Sequence, residues 1–389
     1  MLEAHIKIID FIRSLYPGID PVPLHAPVFL GNEKKYLAEC IDSTYVSSVG
    51  QFVERFEEMV AEYTSAKKAV ACVNGTSALH LALKLVGVEE DTEVITQPLT
   101  FVATANAIMY CNAHPIFLDV DLDTLGLSPR ALRRWLENST EQNTNDKSGE
   151  VQCRNRISGR RISAVVPMHT FGFPCKIDGI SEICSEYNIP LVEDAAESLG
   201  SFYKGKHTGL FGEIGVLSFN GNKTITTGGG GMLLFNDETL ATKAKHLSTQ
   251  AKVSHPWAFV HDEVGYNYRM PNINAALGCA QMEQIENIIS NKRQTAVKYK
   301  RMMKSLDHLQ FFEELSECKA NYWLNVIVAQ DKYCRDILLK ELNNNGLMAR
   351  PAWELMNDLT MFADFETDEL LTAKDLSNRL VNLPSGVRL

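Results

Sequence analysis

Lys223 lies in the run Ser218-Phe219-Asn220-Gly221-Asn222-Lys223-Thr224, between an apolar stretch and the four glycines Gly228–Gly231. A lysine is rarely buried without a partner or a task. Partly desolvated, its pKa falls, and the neutral amine becomes a nucleophile toward carbonyl carbon. Taken alone, the segment is equally a solvated loop, and its glycines equally a plain hairpin. A second constellation is Val192-Glu193-Asp194-Ala195-Ala196-Glu197-Ser198, at the end of an apolar run. A carboxylate there, with Asp194 the best placed, can hold a cationic ring nitrogen, and it can as well cap a following helix. A third is Asn74-Gly75-Thr76-Ser77-Ala78, which opens a helical pattern. Its backbone N–H groups and two hydroxyls suit a phosphate, and an ordinary N-cap is the other reading.

The elements that must position these residues follow from short apolar runs alternating with helical patterns. Ala69–Val73, Val94–Thr96, Ile116–Leu118, Ala164–Val166 and Leu191–Val192 read as buried strands with helices between them. That alternation predicts parallel βαβ units in an α/β sheet covered on both faces. Val216–Phe219 and Gly231–Phe235 add two strands joined by a tight Gly-rich connection. Ligands of such sheets collect at the carboxyl ends of the strands, where all three constellations fall. A phosphate cradle, an acid for a ring nitrogen and a Schiff-base lysine are together what pyridoxal 5′-phosphate requires. Beyond about residue 250 the pattern changes to a long helix over 272–306, a strand over 322–328, a helix near 334–345 and a short strand near 347–350. This predicts a smaller α+β domain after a large α/β one. Residues 137–155, rich in Asn, Ser, Thr and charge, read as an exposed, mobile loop or insertion.

Composition narrows the function classes. With 389 residues, two or three domains and a substantial core are expected. Thirty-eight basic against 48 acidic residues give a net charge of −10, which argues against nucleic acid as a partner. No apolar run is long enough to span a bilayer, and Met1–His5 shows no basic region leading into an apolar stretch. The nine cysteines are scattered, with no CxxC pair, so neither a disulfide framework nor a metal site is indicated. A soluble, reduced, cytoplasmic protein is expected.

Five motifs in order carry a resemblance: Asn74–Leu79, Pro98–Thr104, Glu193–Glu197, Ser218–Gly231 and Gly265-Tyr266-Asn267-Tyr268-Arg269-Met270. Over nearly all its length the chain resembles the pyridoxal-phosphate-dependent sugar-nucleotide aminotransferases of fold type I, the DegT-like family. The resemblance implies a large, mostly parallel-sheet α/β domain over residues 1–250, the N-terminal segment included, and a small C-terminal α+β domain over 251–389. Within the family the chain looks most like enzymes that aminate C4 of a UDP-linked 4-keto-6-deoxy-N-acetylhexosamine, with L-glutamate as donor, on routes to bacillosamine or legionaminic acid in bacterial surface glycans. Ser218–Lys223, Ser248–Ala251 and Ala349-Arg350-Pro351-Ala352-Trp353 support that subgroup. Acceptors linked to dTDP or GDP, and 3-keto sugars, remain alternatives.

Carried over by resemblance, Lys223 forms the Schiff base with the cofactor and Asp194 pairs with its ring nitrogen. Gly75, Thr76, Ser77 and Ser218 bind the phosphate, Phe101 stacks on the ring, and Glu197 lies near the ring hydroxyl. Asn267 reaches the phosphate from a neighbouring subunit, which implies a homodimer with shared sites. His169, matching a family histidine at a strand end, and Arg350 and Trp353 are implied near the substrate. A lone histidine is more often a satisfied structural one, and an Arg and a Trp beside a Pro can simply pack. Many relatives carry Glu at position 229, where this chain has Gly229. A dehydratase of the same fold replaces the lysine with histidine, so Lys223 argues against it. A catalytically idle protein of this fold, acting as a regulator, would need neither Lys223 nor Asp194.

Overall fold

The computed structural model describes residues 2–144, 151–306 and 308–389. Seven strands build the central sheet: β1 (Lys68–Cys72), β2 (Glu93–Thr96), β3 (His114–Phe117), β4 (Ile162–Val166), β5 (Val192–Asp194), β6 (Ile214–Ser218) and β7 (Gly231–Phe235). Their residues are buried almost throughout, as expected of strands covered on both faces. Ladders join β1-β7-β6-β5 and β4-β2-β3. Bridges Val165 to Leu191 and Met168 to Asp194 connect the two groups. Only β7 runs antiparallel to its neighbours, so the sheet is mostly parallel, as the sequence predicts. The carboxyl ends of β1, β2, β4, β5 and β6 therefore share one edge, and the connection between β6 and β7 is a loop over residues 219–230 that carries Lys223.

A second sheet holds β8 (Leu309–Phe311), β9 (Asn325–Ala329), β10 (Arg350–Pro351) and β11 (Leu380–Leu383), in the antiparallel order β8-β9-β11-β10. Its core takes in Ile8, Ile12 and Leu15 of the N-terminal helix α1 (Leu2–Leu15). Helix α1 thus packs with the C-terminal elements, because it presents its apolar stripe to them, whereas Tyr36, Phe52 and Phe56 further along the N-terminal segment pack with the large sheet. Residue 250 is not a packing boundary either. Helix α2 (Asn272–Met282) packs with the large sheet, and α3 (Ile285–Met303) begins there and ends in the C-terminal core.

The single helix predicted over 272–306 is two, broken at Glu283-Gln284. Asn32, Tyr36 and Arg55 all bind the Glu283 carboxylate, which pins the break. The segment read as an exposed loop is largely a hairpin, Thr140–Thr144 paired with Val151–Asn155. Backbone pairing rather than an apolar pattern holds it, which is why composition reads it as loop. The central part of that segment, residues 145–150, lies outside the described residues. Among the described residues no helix is long and apolar enough to cross a membrane.

Candidate active site

Five loops leaving the shared sheet edge enclose a cavity of about 340 Å3 lined by Gly75, Thr76, Phe101, Asp194, Glu197, Ser218, Lys223 and Trp353, among others. After β1, Asn74 caps the helix Gly75–Leu85 by accepting from Ser77 N at 2.7 Å. The N-cap reading is therefore correct for Asn74. It leaves the N–H groups of Gly75 and Thr76 as first-turn donors with no intrahelical acceptor. A Cβ on Gly75 would stand 2.9 Å from Ser218 Cβ. Only glycine lets the helix start approach the Ser218 hydroxyl this closely, and the two together form an anion cradle. Ser77 follows in the same turn but does not line the cavity.

After β5, strand alternation sends Glu193 and Asp194 to opposite faces. Asp194 faces the cavity, buried, its carboxylate accepting from Thr104 Oγ1 at 2.7 Å and from Ala196 N at 3.2 Å. Burial pushes its pKa up, and those two bonds oppose the shift. Glu193 turns the other way, accepting from Gly209 N, Gly212 N and His169. His169 is wholly buried, with Nε2 3.0 Å from Glu193 and Nδ1 accepting from Cys175 N. Both ring nitrogens are taken, so His169 is not available to a substrate, contrary to the expectation placed on it.

Glu197 Oε1 lies 3.0 Å from Lys223 Nζ, and its Oε2 accepts from Phe171 N at 2.9 Å. Burial pushes the Glu197 carboxyl up to about 7 against the pull of Lys223. Nζ also sits 4.3 Å from the Trp323 ring centroid. Trp353 packs on Phe171 at 4.8 Å and lies 6.1 Å from Phe101, and the partly exposed Phe101 forms an apolar wall at the mouth.

Arg350 is outside the cavity, exposed, with its guanidinium on Asn343 and the Ala349 carbonyl. Asn267 is also exposed and lies outside its own chain's cavity, although Tyr268 beside it binds Val73 N near the cradle. Thr104, Met168, Ala196, Asn220, Asn222 and Trp323 line the cavity as well, and the motif reading gave none of them a role. Away from the cavity, His246, Asp262 and Glu263 converge at the surface, where Lys243 pairs with Glu263.

A lysine amine, a buried acid and an anion cradle on one strand edge of a mostly parallel sheet define an aminotransferase-type cofactor site of fold type I. Residues 30–389 match the DegT/DnrJ/EryC1/StrS aminotransferase family, and the chain belongs to it. It is accordingly a pyridoxal-5′-phosphate-dependent sugar aminotransferase. GDP-perosamine synthase of Escherichia coli O157:H7 is 38% identical over 364 residues, covering 94% of this chain and 93% of that protein. EpsN of Bacillus subtilis is 38% identical over 368 residues, covering 93% and 90%. The solved structure of the aminotransferase TlmJ from Streptoalloteichus hindustanus superposes with a TM-score of 0.83 at 25% identity, covering 94% and 93%. These relatives bear out the family, whereas the bacillosamine or legionaminic acid subgroup is not what they point to.

Proposed function

We propose that this chain transfers the amino group of L-glutamate to the C4 keto carbon of a nucleotide-linked 4-keto-6-deoxy sugar, in two half-reactions. The observation that carries this reading is that Lys223, Asp194 and the Gly75–Thr76–Ser218 cradle share one cavity in a chain of this family. Lys223 carries the cofactor, Asp194 pairs with its ring nitrogen, and the helix start at Gly75 and Thr76, with Ser218, holds its phosphate. Phe101 covers the ring and Glu197 lies beside it. When bound, pyridoxal 5′-phosphate supplies an electron sink for the carbon that loses its proton.

The remaining work falls to the chain's own side chains. The buried Asp194 carboxylate, held by Thr104 and Ala196, keeps a proton on the nitrogen it faces, because a like-sized neutral group would not stabilise the cation there. Lys223 Nζ takes the proton at the α-carbon of glutamate and delivers one to C4 of the sugar as general base and acid. Glu197, 3.0 Å from Nζ, restrains that amine, and the enclosed position of both groups limits competing water. Asn267 of a neighbouring copy completes the phosphate site, which accounts for an exposed asparagine beside the cradle segment and implies a homodimer.

Two nucleotides have specific support. The 38% identity to GDP-perosamine synthase supports a GDP-linked acceptor. The runs Ser218–Lys223, Ser248–Ala251 and Ala349–Trp353 support a UDP-linked N-acetyl sugar. Incubating the holoenzyme with glutamate and a panel of GDP-, UDP- and dTDP-linked 3-keto and 4-keto sugars separates them by mass spectrometry of the product. Amination of none of the 4-keto sugars, in a preparation that converts glutamate to 2-oxoglutarate, would refute the proposed acceptor.

A further inference from the structure

Asn321 is completely buried and belongs to the C-terminal part of the chain, just before β9, yet every partner of its amide group but one lies in the large sheet's loops. Its Nδ2 donates to Glu197 O at 2.8 Å and Leu199 O at 2.9 Å, with Thr224 Oγ1 at 3.2 Å. Its Oδ1 accepts from Trp323 N at 2.7 Å, and its own N–H donates to Ser201 Oγ. Two carbonyls on one side and an N–H on the other fix the amide's orientation.

The neighbours of the reacting lysine are thereby held from one short segment. Thr224 meets Asn321, and Asn222 O accepts from Trp323 Nε1 at 2.7 Å. Lys223 itself lies over the Trp323 ring, whose residue is anchored from behind by Lys292 Nζ donating to Trp323 O. Tyr322, between them, adopts φ 50°, a left-handed turn that a non-glycine residue keeps only where its surroundings hold it. A Cβ at Gly172 (φ 93°) would fall 1.9 Å from Asn321 Oδ1, so only a glycine there leaves the Asn321 side chain its place.

We propose that Asn321 is a positioning residue: its carboxamide locks the loop bearing Lys223 to the turn bearing Glu197, and so sets where Nζ stands against the reacting carbon. The inference rests on Lys223 as the reacting lysine but not on which sugar is the acceptor. A displacement of about 1 Å at a reacting group can cost on the order of a hundredfold in rate. The role is therefore visible in kcat rather than in KM.

The test compares wild-type holoenzyme with Asn321→Asp and Thr224→Val in steady-state amino exchange between glutamate and isotopically labelled 2-oxoglutarate, which runs the glutamate half-reaction in both directions and needs no sugar acceptor. Asn321→Asp keeps an acceptor for Trp323 N–H but turns a carboxylate toward two carbonyls. It is expected to lower kcat by about 10- to 100-fold with KM for glutamate within about threefold. The pH midpoint of the enzyme-bound cofactor's visible band should move with it. Thr224→Val removes one hydroxyl at nearly constant volume, and a loss of about threefold in kcat with a smaller shift of the same band is expected. A lowered melting temperature with kcat and the band unmoved in Thr224→Val overturns the role, also where Asn321→Asp fails to fold. Borohydride labelling of the same preparations separates the two claims. Label at Lys223 with unmoved kinetics overturns the positioning role alone, and label elsewhere overturns the assignment of Lys223 on which it rests.

Discussion

Replacing Glu197 by Gln tests the electrostatics of the cavity most sharply. Glu197 is buried and carries a carboxyl raised from 4.5 to about 7. An unfolded chain releases that proton near 4.5, whereas the folded chain holds it until about 7. Between those values the native state binds the extra proton, so stability falls as pH rises, by up to about 1.4 kcal/mol per pH unit. Over two and a half units the loss approaches about 3 kcal/mol and then levels off above the folded pKa. A glutamine cannot ionise and removes this dependence. It also leaves one of two contacts poor, because its Nε2 cannot accept from Phe171 N if its Oε1 stays on Lys223. That mismatch costs about 1–2 kcal/mol at every pH. Apoprotein Glu197→Gln is therefore less stable than wild type at pH 5, and the deficit closes or reverses by pH 8. Urea unfolding of both proteins at half-unit intervals measures the difference directly, since other titrating groups cancel in it. A wild-type-minus-variant stability that is flat between pH 5 and 8 would show that burial does not hold the Glu197 proton across this range.

Other outcomes follow from the same geometry. Asp194→Asn retains a partner for Thr104 but loses the charge, and a contact charge pair at an effective dielectric near 20 is worth about 5 kcal/mol. Turnover should then drop by roughly three to four orders of magnitude with cofactor still bound, as read by absorbance and kcat; near-normal turnover would reduce Asp194 to a structural acid. Gly75→Ala puts a methyl 2.9 Å from Ser218 Cβ, so cofactor affinity measured by fluorescence titration should fall at least about tenfold while the fold persists. Asn267→Ala mixed with Lys223→Ala should regain some activity through mixed dimers holding one intact site, and subunits that exchange without regaining activity would exclude a shared site.

Much of the sheet and of the cavity was legible because the chemistry lies in consecutive residues at strand ends. Gly75, Thr76, Asp194, Glu197, Ser218 and Lys223 each follow a short apolar run, and a mostly parallel sheet gathers such ends at one edge. Residues supporting them from afar were not legible. Thr104 meets Asp194 across 90 residues of chain, and Asn321 meets Glu197 across 124. Thr104 closes the Pro98–Thr104 motif, but nothing local there or at Asn321 shows which distant residue each one supports. His169 misled for the opposite reason, since a strand-end histidine has the form of a ligand until the buried face of Glu193 is seen to take it. β11, with the sequence Leu380-Val381-Asn382-Leu383, is too short to be read as the inner strand that it is. The packing of α1 against the C-terminal core depends on contacts no local pattern encodes.

Every role proposed for the cavity depends on Lys223 being the amine that carries the cofactor. Borohydride reduction of the purified holoenzyme, followed by proteolysis and peptide mass spectrometry, reads this directly. A single stable adduct on the peptide containing Asn222-Lys223-Thr224, absent from Lys223→Ala, is the predicted result, and an adduct at another lysine, or none in protein that shows the cofactor's absorption band, would contradict it.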